Sequence, residues 1–259
     1  MAEDSFLQYL SRLSLPMIED QSLVREARDG FDPKRPLKLS EEYLRDTSLA
    51  LSEVEMLMKQ LKQATLYLSS YRSIPAFKKN EITRYDHIIY HLEMHLFKTT
   101  SVLDRLMILT NIILELGDTQ KNCKASVFLF PKNGKKEYRD KIDSYTGLYR
   151  ALVKVAVCIE PYREDRNMIA HHKNIDYKEL RPVEMYSLLL RLDRGEDKDF
   201  ISNFKVLAKT ETDRTVAQLK KSLEIFNDDL KVLLDEVYSI LRTIFTQRFH
   251  EVVDAEKAE

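Results

Sequence analysis

The sequence predicts an all-α fold, on three observations. Glycine occurs only five times and proline seven times in 259 residues, so few positions break a helix or supply a tight turn. Leucine, lysine and glutamate are abundant, and these residues lose little on entering a helix. Apolar residues also recur in steps of three and four from Val216 through Leu219, Leu223, Phe226, Leu230, Leu233, Val237 and Ile240 to Ile244. That is the period of one helical face. Such a seam has to cover other helices, within the domain or across a dimer.

The elements follow in order. Residues 1–39 read as a less regular N-terminal extension with one short helix, ending in the loop Asp29-Gly30-Phe31-Asp32-Pro33-Lys34-Arg35-Pro36. Residues 40–255 form the helical domain. Ser40 with Glu41 and Glu42 marks a helix start. Leu51, Val54, Leu57, Leu61, Ala64, Leu68 and Tyr71 carry that helix toward a break at Ile74-Pro75. A second long helix runs from about Asn80 to Leu116 and is apolar nearly all round after Val102, which predicts deep burial. Gly117-Asp118 ends it. The segment 118–137 is polar and basic, apart from Val127-Phe128-Leu129-Phe130-Pro131, a short strand or a hydrophobic anchor. A further helix spans about Glu137 to Glu160 and stops at Pro161. A shorter one covers Pro182 to Leu192, and the seam above forms the last.

Composition excludes several functions. No GxxxxGK[ST] or GxGxxG loop is present, so nothing resembles a nucleotide cradle or a dinucleotide fold. The net charge of −1 exerts no global pull on nucleic acid or anionic lipid. Between Thr119 and Lys154, however, nine lysines and arginines face three acidic residues. Lys132, Lys135, Lys136 and Arg139 in this stretch suit weak RNA contact, or simply a solvated loop. Cys123 and Cys158 are too few for a disulfide framework. The acidic start Met1-Ala2-Glu3-Asp4 lacks the pattern of a signal peptide. The longest apolar run, Leu106 to Leu116, is too short and too interrupted to span a membrane. A soluble, cytoplasmic protein without a membrane partner is expected.

The chemistry concentrates in Arg166-Asn167-Met168-Ile169-Ala170-His171. A guanidinium suits a phosphate, and an imidazole exchanges protons near pH 7. The spacing alone proves little, since Arg84 and His91 are similarly separated by six residues. What distinguishes the later pair is Asn167 directly after its arginine. On a straight helix Arg166 and His171 point about 140° apart. Asn167 and His171 share a face, which Arg163 extends, so the amide can orient the imidazole. A helix restarting after Pro161 would add backbone N–H groups for an anion. The bland alternative pairs Arg166 with Glu164 or Asp165 at the surface and leaves His171 capping a helix end.

Arg166-Asn167-x-x-x-His171 in an all-helical chain resembles the signature of the HEPN superfamily, an arginine and a histidine with four to six residues between them and a polar residue directly after the arginine. The resemblance implies a HEPN-like helical bundle and a metal-independent endoribonuclease, often a toxin or defence enzyme, that needs no cofactor. It further implies a homodimer with its motifs at a shared cleft, and an antitoxin or other regulatory protein as partner. Carried over by position, Arg166, Asn167 and His171 are the catalytic residues, with His172, Asp104 and Arg163 as supporting ones. One subgroup carries tyrosine two places after the histidine; Lys173 stands there instead.

His87, His91 and His95 form a competing pattern, one helical stripe that could hold a metal at either adjacent pair. The glutamate of His91-Leu92-Glu93-Met94-His95 occupies the wrong position for a zinc-protease motif, and a polar helix face is the better reading. Three functions therefore follow, in descending order. They are a HEPN-type ribonuclease, a catalytically silent helical dimer used for binding, and a metal-dependent hydrolase on the histidine stripe.

Overall fold

The structure, a computed structural model, describes residues 4–20, 36–130, 136–170, 177–192 and 198–258. Every regular element among them is helical: α1 (Phe6–Glu19), α2 (Leu39–Tyr67), α3 (Pro75–Lys79), α4 (Arg84–Leu114), α5 (Ala125–Phe128), α6 (Lys136–Asp143), α7 (Leu148–Ala170), α8 (Arg181–Leu192) and α9 (Lys198–Ala258). Single 3-10 turns occur at Gln120–Asn122 and Lys178–Leu180. None of the described helices is long and apolar enough to cross a membrane. The chain divides into two compact units, Met1–Met56 with Ser101–Cys158 and Val232–Glu259, and Leu57–Thr100 with Ile159–Lys231. Each unit therefore draws a segment from α2, α4, α7 and α9.

The first unit is built on aliphatic and aromatic burial. Leu51, Val54, Leu103, Leu106, Leu152, Val155 and Leu241 are all but inaccessible. Tyr43 stacks on Phe245 with centroids 5.1 Å apart, and Phe245 meets Phe6 of α1 at 6.0 Å. The N-terminal helix, started by a Ser5–Gln8 capping box, is thus anchored in this core. Tyr43 donates its hydroxyl to the Ile113 carbonyl at 2.9 Å, and burial raises its pKa well above the usual phenol value.

The same unit closes with charged contacts. Glu256 accepts from the Ser40 N–H at 2.8 Å and the Ser40 hydroxyl at 2.7 Å. The α9 end thereby supplies the anion that the start of α2 favours. Those two bonds hold the Glu256 carboxyl below its ordinary pKa. At the end of α4 the Leu116 N–H returns to the Asn111 carbonyl, and Glu115 adopts φ +48°. A non-glycine residue is strained there. Its carboxylate pairs with Arg248, and its carbonyl accepts from Lys141 Nζ at 3.2 Å.

In the second unit Leu68, Ile88, Leu92, Leu180, Val183 and Val216 form one buried cluster, flanked by Tyr85, Ile89, Tyr177, Leu219 and Leu223. Its α4 segment starts with a reciprocal cap: Thr83 N–H donates to Asp86 at 2.7 Å, and Asp86 N–H donates to the Thr83 hydroxyl at 3.2 Å. This cap, rather than Asn80, fixes the helix start.

Three sequence expectations change. The helix expected over 137–160 is two, because Gly147 at φ +82° turns the chain between α6 and α7. Pro161 does not stop α7 but lies within it. A proline in a helix leaves the carbonyl four residues back without its donor, and here that residue, Val157, is 64 % exposed. Pro161 is exposed as well, so the break falls on the solvated face. Val127–Phe130 is no strand: one turn of α5 presents Phe128, which is fully buried with Leu129 as a hydrophobic anchor.

Candidate active site

The site has to be built from α7. Its core-facing residues Leu152, Val155 and Ile159 are fully buried. Continued at the same three- and four-residue steps, that stripe reaches Tyr162, Arg166 and Ile169, all half-buried. Val157, Glu160, Pro161, Glu164 and Asn167 occupy the opposite, exposed row. Arg166 thus takes a position that helical periodicity assigns to an apolar residue. Asn167, one residue on, faces water.

The electrostatic setting of Arg166 is unusual. Among the described residues, no ion pair or hydrogen bond engages its guanidinium, although Glu164 and Asp165 adjoin it in sequence. Partial burial of an uncompensated charge costs stability. By contrast Arg84, the other arginine with a histidine at suitable spacing, is tied to Asp213 at 2.6 Å. Arg163 lies 3.7 Å from Glu160. Continuity of α7 through Pro161 removes the expected helix N-terminus at the motif. Arg166 instead lies inside α7, where the backbone N–H groups are spent on the helix and none is offered to an anion. A phosphate arriving here has to be met by side chains.

His171 and His172 lie outside the described residues, as do Lys132 and Lys135. Lys136 and Arg139 are exposed on α6, with the Arg139 guanidinium 4.9 Å above the Tyr149 ring. Asp104 belongs to the first unit. It is half-buried and lines a cleft of ≈ 390 Å³ with Lys121 and Lys124. Its neighbour Arg105 bonds Glu53 at 3.0 Å.

Beside the motif, the second unit gathers groups that sequence reasoning did not select. Burial pushes the Tyr177 phenol well above its ordinary pKa, and the charges of Glu93 and Asp165 add to the effect, as does Tyr162. Burial also raises the Glu93 carboxyl. Tyr162 packs on Phe226 at 4.4 Å. The Tyr177 phenol thus feels both carboxylates, and Asp165 directly precedes Arg166. Glu93 lies within the histidine stripe His91-Leu92-Glu93-Met94-His95, whose spacing points only to a zinc motif.

His95 corrects the reading of that stripe as a polar helix face. It is 1 % exposed. Nε2 meets the Asn227 carbonyl oxygen at 2.9 Å, and Thr99 Oγ1 stands 3.4 Å from Nδ1. Asn227 passes the network on by donating to the Thr65 hydroxyl at 3.1 Å. Because Asn227 accepts at Nε2, the proton sits there and Nδ1 accepts from Thr99. Burial lowers the His95 pKa against the opposing pull of Asn227. Both ring nitrogens are thus committed, Nε2 to Asn227 of α9 and Nδ1 to Thr99 one turn on in α4 itself. His87 Nε2 is 2.7 Å from the Tyr67 carbonyl oxygen, and its ring meets that of His91 edge-on at 4.5 Å. Among the described residues no group of three or more His, Cys, Asp or Glu side chains is arranged to hold a metal.

Comparison with known proteins adds one finding. The family model described as HEPN_Cthe2314-like HEPN matches residues 43–247, a range that includes all of α7 and the motif. No curated protein and no solved structure matches the chain significantly.

Proposed function

Since the chain belongs to the HEPN_Cthe2314-like HEPN family, we propose that it is a metal-independent endoribonuclease acting through Arg166, Asn167 and His171. The observation that carries this reading is Arg166 itself, half-buried on the core-facing stripe of α7 with no partner for its guanidinium among the described residues. A charge kept there against the pattern of its helix suits a role in binding an anion better than one in packing.

The reaction needs little equipment. The 2′-OH of a ribose attacks the adjacent phosphorus, the bond to the 5′-oxygen breaks, and a 2′,3′-cyclic phosphate and a 5′-OH remain. One imidazole accepts the 2′ proton and another donates to the departing 5′-oxygen. Such groups each contribute about 10²–10⁴-fold. Arg166 stabilises the charge that builds on the phosphorane oxygens. Asn167, exposed on the next row, orients His171 or bonds the phosphate. One motif supplies one strong proton-transfer group, and a two-fold dimer supplies the second from its partner copy. The regulatory setting, a toxin or defence enzyme held by an antitoxin, belongs to the same proposal.

The test is RNA cleavage by purified protein in EDTA, beside Arg166→Ala and His171→Ala. Both variants are expected to lose about 10²–10³-fold, the scale of removing one transition-state donor. A dimer that binds RNA without cutting it points to a silent binding module. Cleavage that EDTA and His91→Ala abolish, but His171→Ala spares, contradicts the proposal.

A further inference from the structure

A second feature of the Leu57–Thr100/Ile159–Lys231 unit has the chemistry of a nucleotide subsite. The start of α4, the middle of α8 and the first third of α9 enclose a cleft of ≈ 340 Å³ lined by Arg84, Tyr85, Tyr186, Ser187, Lys205 and Lys209. That is the lower end of the size range of small-molecule sites, and it suits one nucleotide unit.

The charges in this cleft are one-sided. Lys205 and Lys209 are four residues apart on α9, so they share a helical row, and both are exposed. Like charges at that spacing repel and weaken the helix. Among the described residues neither lysine has an ion-pair partner. The acid that could offset Lys209 one turn on, Asp213, is held by Arg84 at 2.6 Å. That pair is fixed at the cleft wall, leaving the two lysines as the uncompensated charge.

The remaining wall is aromatic. Tyr186 is half-buried, its ring set against the edge of Phe204 at 5.3 Å. Tyr85 packs against the buried cluster that also contains Val183. Ring faces beside a pair of lysines are the combination that binds single-stranded nucleic acid. The ring stacks a base at any sequence, and the cations hold its phosphate. The cleft joins the motif's surroundings through the same cluster, since Tyr177 packs against it and lies within the field of Asp165.

We propose that this cleft binds one nucleotide unit, its base on Tyr186 and its phosphate on Lys205 and Lys209. Resting on the ribonuclease reading, the proposal makes it a subsite for an RNA residue away from the cleaved bond; a free nucleotide carries the same chemistry.

The experiment measures anisotropy of a fluorescent, 2′-O-methylated single-stranded oligonucleotide, which has no 2′-OH to react, and AMP in competition. Lys205→Glu/Lys209→Glu is expected to weaken oligonucleotide binding at least tenfold. Lys205→Ala/Lys209→Ala should make the slope of log affinity against log salt shallower by about 1.4, for two lost phosphate contacts. Tyr186→Leu should weaken binding about tenfold while Tyr186→Phe does not. Circular dichroism confirms that each variant folds. If AMP binds with this dependence and the oligonucleotide does not, the subsite stands with a free nucleotide as its ligand and the ribonuclease reading loses support. If wild-type protein cleaves RNA but the lysine variants keep its affinity and salt slope, the subsite is wrong and the cleavage reading is untouched. Failure of both probes to bind wild-type protein overturns the subsite as well.

Discussion

The two units of the chain differ in what they bury. Among the described residues, most inaccessible aliphatic and aromatic side chains belong to the first unit, from Phe6 and Leu51 to Leu152, Leu241 and Phe245. Most inaccessible polar ones belong to the second: Thr65, His95, Thr99, Thr100, Thr212 and Asn227. Helix α7 repeats the contrast along its own length. Its first half closes the core with Leu152 and Val155, and its second half continues the stripe with Tyr162 and Arg166. Polar groups inside a fold are costly unless satisfied, and uncompensated ones gather where function requires them. The first unit is the more apolar of the two, and the second satisfies its buried polar groups in networks such as His95–Asn227–Thr65.

Substitutions that exchange these characters test the contrast. The largest effect is expected from Leu152→Ala, which empties a fully buried position of the first unit. Denaturant unfolding should show a loss of about 2–5 kcal/mol. A loss below 1 kcal/mol would mean that this core is not tightly packed.

Next comes Asn227→Ala, which strands the Nε2–H of His95 and should cost about 1–3 kcal/mol. The same network gives a pH signature. His95 is held neutral by burial, so its folded pKa lies below that of the unfolded chain, about 6.5. As pH falls below about 6.5 the unfolded state takes up a proton that the folded state resists, and stability declines toward the folded pKa. His95→Gln should flatten this slope between pH 6.5 and 5. An unchanged slope would show that His95 is not the group titrating.

Arg166→Leu reverses the sign. It restores the apolar stripe of α7 and should raise stability by about 0.5–2 kcal/mol while removing activity. Destabilisation would show that the guanidinium serves the fold. The smallest effect is expected at Ser40→Ala in the first unit. The Glu256 carboxyl has a depressed folded pKa, so its contribution is present above the unfolded value and is lost as pH falls through the folded one. Removing the hydroxyl raises that folded pKa, and the acid-unfolding midpoint should move slightly to higher pH.

Much of the scaffold was legible in the sequence, because helical periodicity reports burial directly. The α9 seam illustrates both the strength and the limit of that signal. Val216 and Leu230 are buried as the period requires, whereas farther on Leu234, Tyr238 and Phe245 join Val237 and Ile244. The stripe widens because the first unit covers α9 more fully than a single seam. Boundaries were harder, since they depend on particular atoms. Pro161 looks like a stop until Val157, the residue whose carbonyl it orphans, is found exposed, and Thr83 caps α4 only when Asp86 reaches back.

At the site, Arg166 and Asn167 were legible as a motif, but their division between an inward and an outward row was not. That division depends on α7 passing through Pro161. His95 misled for a related reason. A histidine in a stripe looks solvated unless the partners that satisfy it are known, and Asn227 lies 132 residues away. Tyr177 has no spacing signal at all, since folding alone sets it in the field of Glu93 and Asp165.

Chemical identification of the ends left on cleaved RNA tests the central claim most directly. Attack by the 2′-OH without metal leaves 2′,3′-cyclic phosphate and 5′-OH ends, and Arg166→Ala should remove them. Ends carrying 3′-OH and 5′-phosphate, or cyclic-phosphate ends produced equally by wild-type and Arg166→Ala protein, would contradict the assignment of this reaction to Arg166 and His171.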